Sequence, residues 1–142
     1  IKGEEAKKRT EALLKLVELE DAADRLVETY SKGMIQRLQI ARGLINDPQI
    51  VFMDEPTVGL DPLGANMLRD IIRKLKADGR TVLLTTHYMQ EADELCDRIA
   101  IINKGKIIAM DTPMALKQTY GEKGVDSTLE QVFLSLVKKE GK

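Results

Sequence analysis

An α/β fold, with a mainly parallel sheet flanked by helices, is the architecture this sequence predicts, on three observations. Two short apolar runs, Gln49 to Met53 and Thr81 to Thr86, each end in polar residues, as strands buried on both faces do. Between them Leu63, Met67, Leu68, Ile71, Ile72 and Leu75 recur at helical spacing. A strand, a helix and a second strand in that order predict a parallel crossover, the building unit of such folds.

The elements follow one another without a linker or a repeat. A charged opening helix over about Glu4 to Glu20 carries Ala6, Leu13, Leu16 and Val17 on one stripe. No strand precedes it, so the chain is expected to enter its fold part-way. A second helix starts at Ser31, whose hydroxyl suits the free amides of a first turn; it carries Met34, Leu38, Ala41 and Ile45 and stops at Asn46-Asp47-Pro48. The third begins at Asp61-Pro62 and ends before Gly79. His87 is predicted to open a fourth, bearing Met89, Ala92, Leu95 and Cys96. Ile99 to Ile102 and Lys106 to Ala109 flank Asn103-Lys104-Gly105, where Asn and Gly tolerate the positive φ of a tight antiparallel hairpin. Two helices follow. One starts at Thr112-Pro113; the other is predicted from a capping box of Ser127 and Glu130 around Leu129, Val132, Phe133, Leu136 and Val137, with Gly121 and Gly124 between the two.

Composition narrows the class of molecule. Hydrophobic residues make up 43% and charged residues 32%, with ten glycines and four prolines, which excludes a disordered or fibrous chain. A domain of about 150 residues buries roughly 68–70% of its unfolded surface, so one core is within reach of this length. The 22 basic and 23 acidic residues leave a net charge of -1, so no long-range field draws the molecule to nucleic acid, and no nucleic-acid partner is expected. Cys96 is the single cysteine, which excludes an internal disulfide, fits a reducing cytosol and is expected to pack as a small hydrophobe. No apolar run reaches the ~18 residues of a membrane span, and the first residues are unlike a signal peptide, so a membrane role is expected to come through a partner.

Chemistry concentrates at the ends of the two strands. Asp54 and Glu55 close the first, where adjacent carboxylates are unfavourable unless a cation or a catalytic task occupies them. In a nucleotide hydrolase the first carboxylate of such a pair reaches the Mg²⁺ shell and the second polarises the attacking water, which gives Asp54 the metal and Glu55 the water. A plain turn ahead of Pro56 would use the same residues. His87, the only histidine, follows the second strand at the edge where open α/β sheets bind ligands, and its imidazole can donate to a γ-phosphate oxygen. Alone, it also reads as a satisfied polar residue at a boundary. Ser31-Lys32-Gly33 heads a helix whose free amides and positive dipole end attract phosphate, with Gly33 permitting close approach, although a serine N-cap accounts for it equally well. Asp61 caps the helix at Pro62 whatever else it does.

In order along the chain, Tyr30-Ser31-Lys32-Gly33-Met34, Ile50 to Pro56, Gly59-Leu60-Asp61-Pro62 and Thr85-Thr86-His87 resemble four motifs of the ATP-binding-cassette (ABC) transporter ATPases. These are the signature, the Walker B strand with its catalytic glutamate, the D-loop and the histidine switch. The hairpin and the Ser127 to Phe133 segment are similar to those of bacterial drug, polysaccharide and lipid exporters. The resemblance implies a partial P-loop NTPase fold: part of the helical subdomain over 1–47, the Walker B, D-loop, switch and hairpin over 48–111, and C-terminal helices over 112–142. It implies ATP and Mg²⁺ as cofactors, with Asp54 at the metal, Glu55 and His87 catalytic, and Ser31, Lys32, Gly33, Met34 and Asp61 at the nucleotide. As partners it implies an ABC permease and a second cassette meeting this one head to tail, with the chain peripheral at the cytoplasmic face of the membrane. The usual signature reads Leu-Ser-Gly-Gly-Gln; here Tyr30, Lys32 and Met34 replace three of the five positions, and Ser31 and Gly33 remain. Lys32 in place of glycine puts a cation beside the phosphate.

A P-loop needs Gly-x-x-x-x-Gly-Lys-Ser/Thr, and the sequence contains none. Gly59 and Gly64 have the glycine spacing, but Ala65-Asn66 supply neither the lysine nor the hydroxyl. The chain is therefore expected to correspond to the C-terminal portion of a cassette, binding ATP weakly and hydrolysing it negligibly by itself. Without a P-loop strand its sheet is expected to have unpaired edges and exposed apolar surface. Two other readings stand beside this one: a noncatalytic regulatory module derived from a cassette, and the C-terminal lobe of a chromosome-maintenance or repair ATPase. Lobes of the latter kind adjoin long coiled coils, whereas only a short helix precedes Tyr30 and the hairpin favours a transporter.

Overall fold

A computed structural model of the protein describes residues 3–121 and 126–140. The chain divides into two compact units, Ile1–Thr85 and Thr86–Lys142.

The first unit runs α1 (Glu4–Leu16), α2 (Lys32–Leu44), β1 (Ile50–Asp54), α3 (Pro62–Ala77) and β2 (Thr81–Thr85), with 3-10 turns at Glu20–Ala22 and Val27–Thr29. The opening helix stops at Leu16, short of the expected Glu20, because Glu18 turns the chain at φ +55 and sets Val17 and Leu19 into the interior on either side of it. Two arginines bind α1 and α2 through main-chain carbonyls. Arg37 donates to Val17 O at 2.8 Å and Glu18 O at 3.0 Å, and Arg9 donates to Ile45 O at 2.9 Å.

The predicted crossover is present. β1 and β2 pair in parallel, from Ile50 with Thr81 to Asp54 with Thr85, and α3 connects them. Leu68, Ile71, Ile72 and Leu75 are fully buried on α3, while Leu63 in its first turn is 68% exposed and does not join the stripe assigned to it. Gly79 leaves the helix at φ +80, a conformation that glycine adopts without strain. Arg80 then ties the two strand entrances together, donating to Pro48 O at 2.5 Å and pairing with Asp47 at 2.6 Å. That hydrogen bond, reinforced by the guanidinium charge, holds the Asp47 carboxyl below the usual carboxylate range.

Burial of both strand faces is corrected by the structure. Met53 is buried, but Phe52 is 75% exposed, and Ile50 and Leu83 on the same face are open as well. Among the described residues of the first unit no layer covers that face, which agrees with the expectation of exposed apolar surface.

The second unit contains α4 (Met89–Leu95), β3 (Ile99–Asn103), β4 (Lys106–Asp111), α5 (Pro113–Tyr120) and α6 (Leu129–Glu140). Ala92, Ile101, Ala109, Leu116, Leu129, Val132 and Leu136 form its core, with Cys96 packed against them as a small hydrophobe. β3 and β4 pair antiparallel. The two residues with positive φ in their turn are Lys104 (+47) and Gly105 (+76), so Asn103 completes β3 instead of turning the chain. α4 begins at Met89 and not at His87, because the Tyr88 N–H is taken by Thr86 Oγ1 at 3.0 Å in a local turn. The capping box of α6 sits one residue later than predicted. Thr128 accepts from the Gln131 N–H at 3.3 Å and Gln131 Oε1 accepts from the Thr128 N–H at 2.9 Å, while Ser127 is buried. Gly121 follows α5 as expected; Gly124 lies outside the described residues.

Candidate functional site

At the C-terminal end of β1 the carboxylate pair is held by the neighbouring strand. Asp54 is exposed and its Oδ1 accepts a hydrogen bond from the Thr85 hydroxyl. Glu55 is half-buried and leaves the strand at φ +46. Its N–H donates both to Thr85 O at 3.0 Å and to Thr85 Oγ1 at 3.2 Å. A glutamate in the left-handed region is sparsely populated, and such residues collect where function needs a particular placement.

Asp54 and Glu55 provide little for a cation by themselves. Among the described residues no group of three or more His, Cys, Asp or Glu is arranged to hold a metal ion. Mg²⁺, however, commonly takes one or two protein carboxylates and completes its shell with waters and substrate phosphates. An exposed aspartate with an outer hydrogen bond from Thr85 fits that manner of binding.

Ser31, Lys32, Gly33 and Met34 form the start of α2. The Ser31 hydroxyl accepts from the Met34 N–H at 3.3 Å, so the predicted N-cap is present. A Cβ added at Gly33 would lie 3.8 Å from Leu60, an ordinary contact, so packing inside the unit does not require glycine there. Asp61 caps α3 in the same way, accepting from the Gly64 N–H at 3.0 Å. The two capped starts face one cleft of about 360 Å³, lined by Ser31, Lys32, Gly33, Gly59, Asp61 and Gly64 among others. Within it the Lys32 side chain lies across Gly59, where φ is +72 and a Cβ would collide with the ammonium. Gln36 on α2 donates to Pro56 O at 2.9 Å, which ties this region to the segment directly after Glu55.

His87 belongs to the second unit, two residues past the end of β2 in sequence. It is exposed, and its ring lies against that of Tyr88, with centroids 4.2 Å apart.

The first unit thus brings together Ser31, Lys32, Gly33 and Asp61 around one cleft, with Asp54 and Glu55 in the same unit; Met34 does not line the cleft and meets the site only through its N–H to Ser31 Oγ. Sequence reasoning missed Thr85 as the residue that holds the carboxylate pair. The signal that finds it is strand register, which places it opposite Asp54. It also missed Gln36, and the crossing of Lys32 over Gly59, neither of which has a local sequence pattern.

Residues 1–58 match a family model described as ABC transporter. The chain is 58% identical over 105 residues to a fluoroquinolones export ATP-binding protein of Mycobacterium tuberculosis, a match covering 74% of this chain and 35% of that protein. It is 49% identical over 116 residues to the daunorubicin/doxorubicin resistance ATP-binding protein DrrA of Streptomyces peucetius, covering 82% and 35%. The chain thus spans about a third of the length of these curated relatives. Among solved structures, an ATP-binding subunit of an ABC transporter superposes with a TM-score of 0.79 at 29% identity, over 96% of this chain and 56% of that one.

Proposed function

The chain belongs to the ABC transporter family of ATP-binding domains, and from that premise we propose that it is the signature-bearing part of a cassette that hydrolyses ATP to power export across a membrane. The observation that carries this reading is the shared cleft between Ser31-Lys32-Gly33 and Gly59 to Gly64, in the same unit as the Asp54–Glu55 pair. The relatives named for drug export favour a transporter over a repair ATPase.

In this reading Ser31 and Gly33 present the free first-turn amides of α2 to the triphosphate of an ATP held by a second, head-to-tail cassette, and the Lys32 ammonium adds a positive charge beside them. Met34 and Asp61 keep the two loops in shape through their capping hydrogen bonds. Glu55 polarises the attacking water, and His87 donates to a γ-phosphate oxygen. Asp54 would hold Mg²⁺, which when bound would supply neutralisation of charge on the phosphates. Nucleotide-driven closing and reopening of the two cassettes is a two-state shift that a permease converts into transport. No helix among the described residues is long and apolar enough to cross a membrane, so in this reading the permease supplies the contact with the cytoplasmic face.

The Gly-Lys-Ser/Thr cradle is not among these 142 residues, so the chain by itself binds ATP weakly and turns it over negligibly. Two assays test the reading. Alone, the chain should show no Mg²⁺-dependent ATPase rate that Glu55→Gln removes. Mixed with a separately expressed P-loop-bearing segment of a relative, it should show one. A Glu55-dependent rate from the chain alone contradicts the predicted inactivity, and its absence from the mixture contradicts the assignment of Glu55.

A further inference from the structure

We infer that Thr85 is a positioning residue for the carboxylate pair, a clamp on β2 that fixes the Asp54 side chain and the Glu55 backbone as one hydrogen-bonded unit. The inference rests on the reading of Asp54 and Glu55 as the metal and water residues.

Register supplies the first support. Thr85 is the direct partner of Asp54 in the parallel ladder, so both side chains leave the same face of the sheet, the open one. Hydrogen-bond stoichiometry supplies the second. A threonine hydroxyl has one proton to give and lone pairs to receive with. Here the proton goes to Asp54 Oδ1, and a lone pair accepts the Glu55 N–H at 3.2 Å, while the Thr85 carbonyl accepts the same N–H at 3.0 Å. Donating to one carboxylate oxygen fixes the plane of the carboxyl group and leaves the other oxygen for a cation. Backbone conformation supplies the third. Glu55 sits at φ +46, which an L-residue keeps only when its surroundings over-determine it, and two acceptors on its N–H provide that constraint.

A strand needs none of this from position 85. Valine would serve the β conformation as well as threonine and would lose both side-chain contacts. The hydroxyl therefore acts on the neighbouring carboxylates and not on the strand. Outer hydrogen-bond partners of metal ligands orient them, and losing one typically weakens metal affinity by roughly 10–100-fold.

The test compares Thr85→Val, which keeps shape and branching, with Thr85→Ser, which keeps the hydroxyl; Thr85→Ala serves if valine disturbs β2. Two-dimensional amide NMR of the 142-residue chain reads hydrogen exchange at Glu55 and the broadening of the Asp54 and Glu55 amides by added Mn²⁺. Thr85→Val should speed Glu55 exchange by roughly threefold to tenfold, as loss of one modest hydrogen bond implies. It should also raise the Mn²⁺ concentration needed for a given broadening by about 10–100-fold. Thr85→Ser should restore both. Unchanged exchange in Thr85→Val, a loss that serine does not restore, or equal Mn²⁺ broadening in wild type and Thr85→Val overturns the inference. The Mn²⁺ criterion applies where Mn²⁺ broadens the wild-type amides; should it broaden neither, Asp54 does not hold the cation without substrate phosphates, and the exchange effect with its rescue by serine alone decides the clamp.

Discussion

The backbone at Glu55 allows a prediction in which the ordinary order of two substitutions is reversed. Replacing Glu55 by alanine and by glycine removes the same carboxylate and leaves the same half-buried position vacant, so the two variants differ mainly in backbone preference. In regular structure glycine is the worse residue by about 0.5–1 kcal/mol, because it gives up more freedom on folding. At φ +46 an alanine carries the steric penalty of the left-handed region, about 1–2 kcal/mol, which glycine escapes. Subtracting the midpoints of the two ranges leaves Glu55→Gly more stable than Glu55→Ala by roughly 0.75 kcal/mol.

Urea unfolding of the two variants, followed at amides of residues 3–85 by NMR, measures the difference. With an unfolding slope of about 1 kcal/mol per molar for a unit of this size, the glycine variant should have a midpoint higher by roughly 0.75 M. Glu55→Gln keeps both the backbone constraint and the Thr85 contacts and should stay within about 0.5 kcal/mol of wild type, so an ATPase rate lost in that variant reflects the carboxylate and not unfolding. An alanine variant equal to or more stable than the glycine variant would mean that Glu55 is not held in the left-handed region, and the strain argument would fail with it.

Three further outcomes follow from single contacts. Asp61→Ala should lower stability by about 1 kcal/mol through loss of the bond to the Gly64 N–H, whereas Asp61→Asn, an equally good cap, should be nearly neutral in urea unfolding. Asp47, held below the usual carboxyl value of about 3.9 by its hydrogen bond to Arg80, contributes stability that is present above that value and lost as pH falls through the lower folded value; acid titration of Arg80→Ala should lack this component. Ile72→Ala, at a fully buried position on α3, should destabilise the first unit by roughly 2–5 kcal/mol in denaturant titration, with a value under 1 placing Ile72 outside the core.

What could be read from the sequence depended on how local its cause was. The caps at Ser31, Asp61 and Thr112 were legible because each hydroxyl or carboxylate meets an amide three residues on, a distance that sequence spacing fixes directly. The crossover was legible from two apolar runs around a helical stripe. The capping box of α6 was not, since Ser127 with Glu130 and Thr128 with Gln131 both satisfy its pattern, and only the point at which α6 begins decides between them. The hairpin turn shows a similar ambiguity: Asn103 is the better residue for positive φ, but pairing of Asn103 with Lys106 assigns the turn to Lys104 and Gly105. Thr85 is the furthest from view. Its role depends on sitting opposite a residue 31 positions away, a matter of register that no local pattern contains.

The exposure of β1 and β2 disagrees with their composition, and the disagreement bears on the site. Ile50, Phe52 and Leu83 belong to runs that read as buried on both faces, yet one face carries all three in the open, with Asp54 and Thr85 at its end. A solvated strand would more commonly alternate apolar with polar side chains. The composition is therefore that of a sheet with a second layer, and a layer over Phe52 would approach the carboxylates along the same face. Phe52→Ser separates this account from simple core packing. At 75% exposure, Phe52 contributes little to the folded unit, so the substitution should change unfolding free energy by no more than about 0.5 kcal/mol while lowering binding of an apolar dye and self-association of the chain. A loss above about 2 kcal/mol would make Phe52 a core residue and leave the open face without its main apolar member.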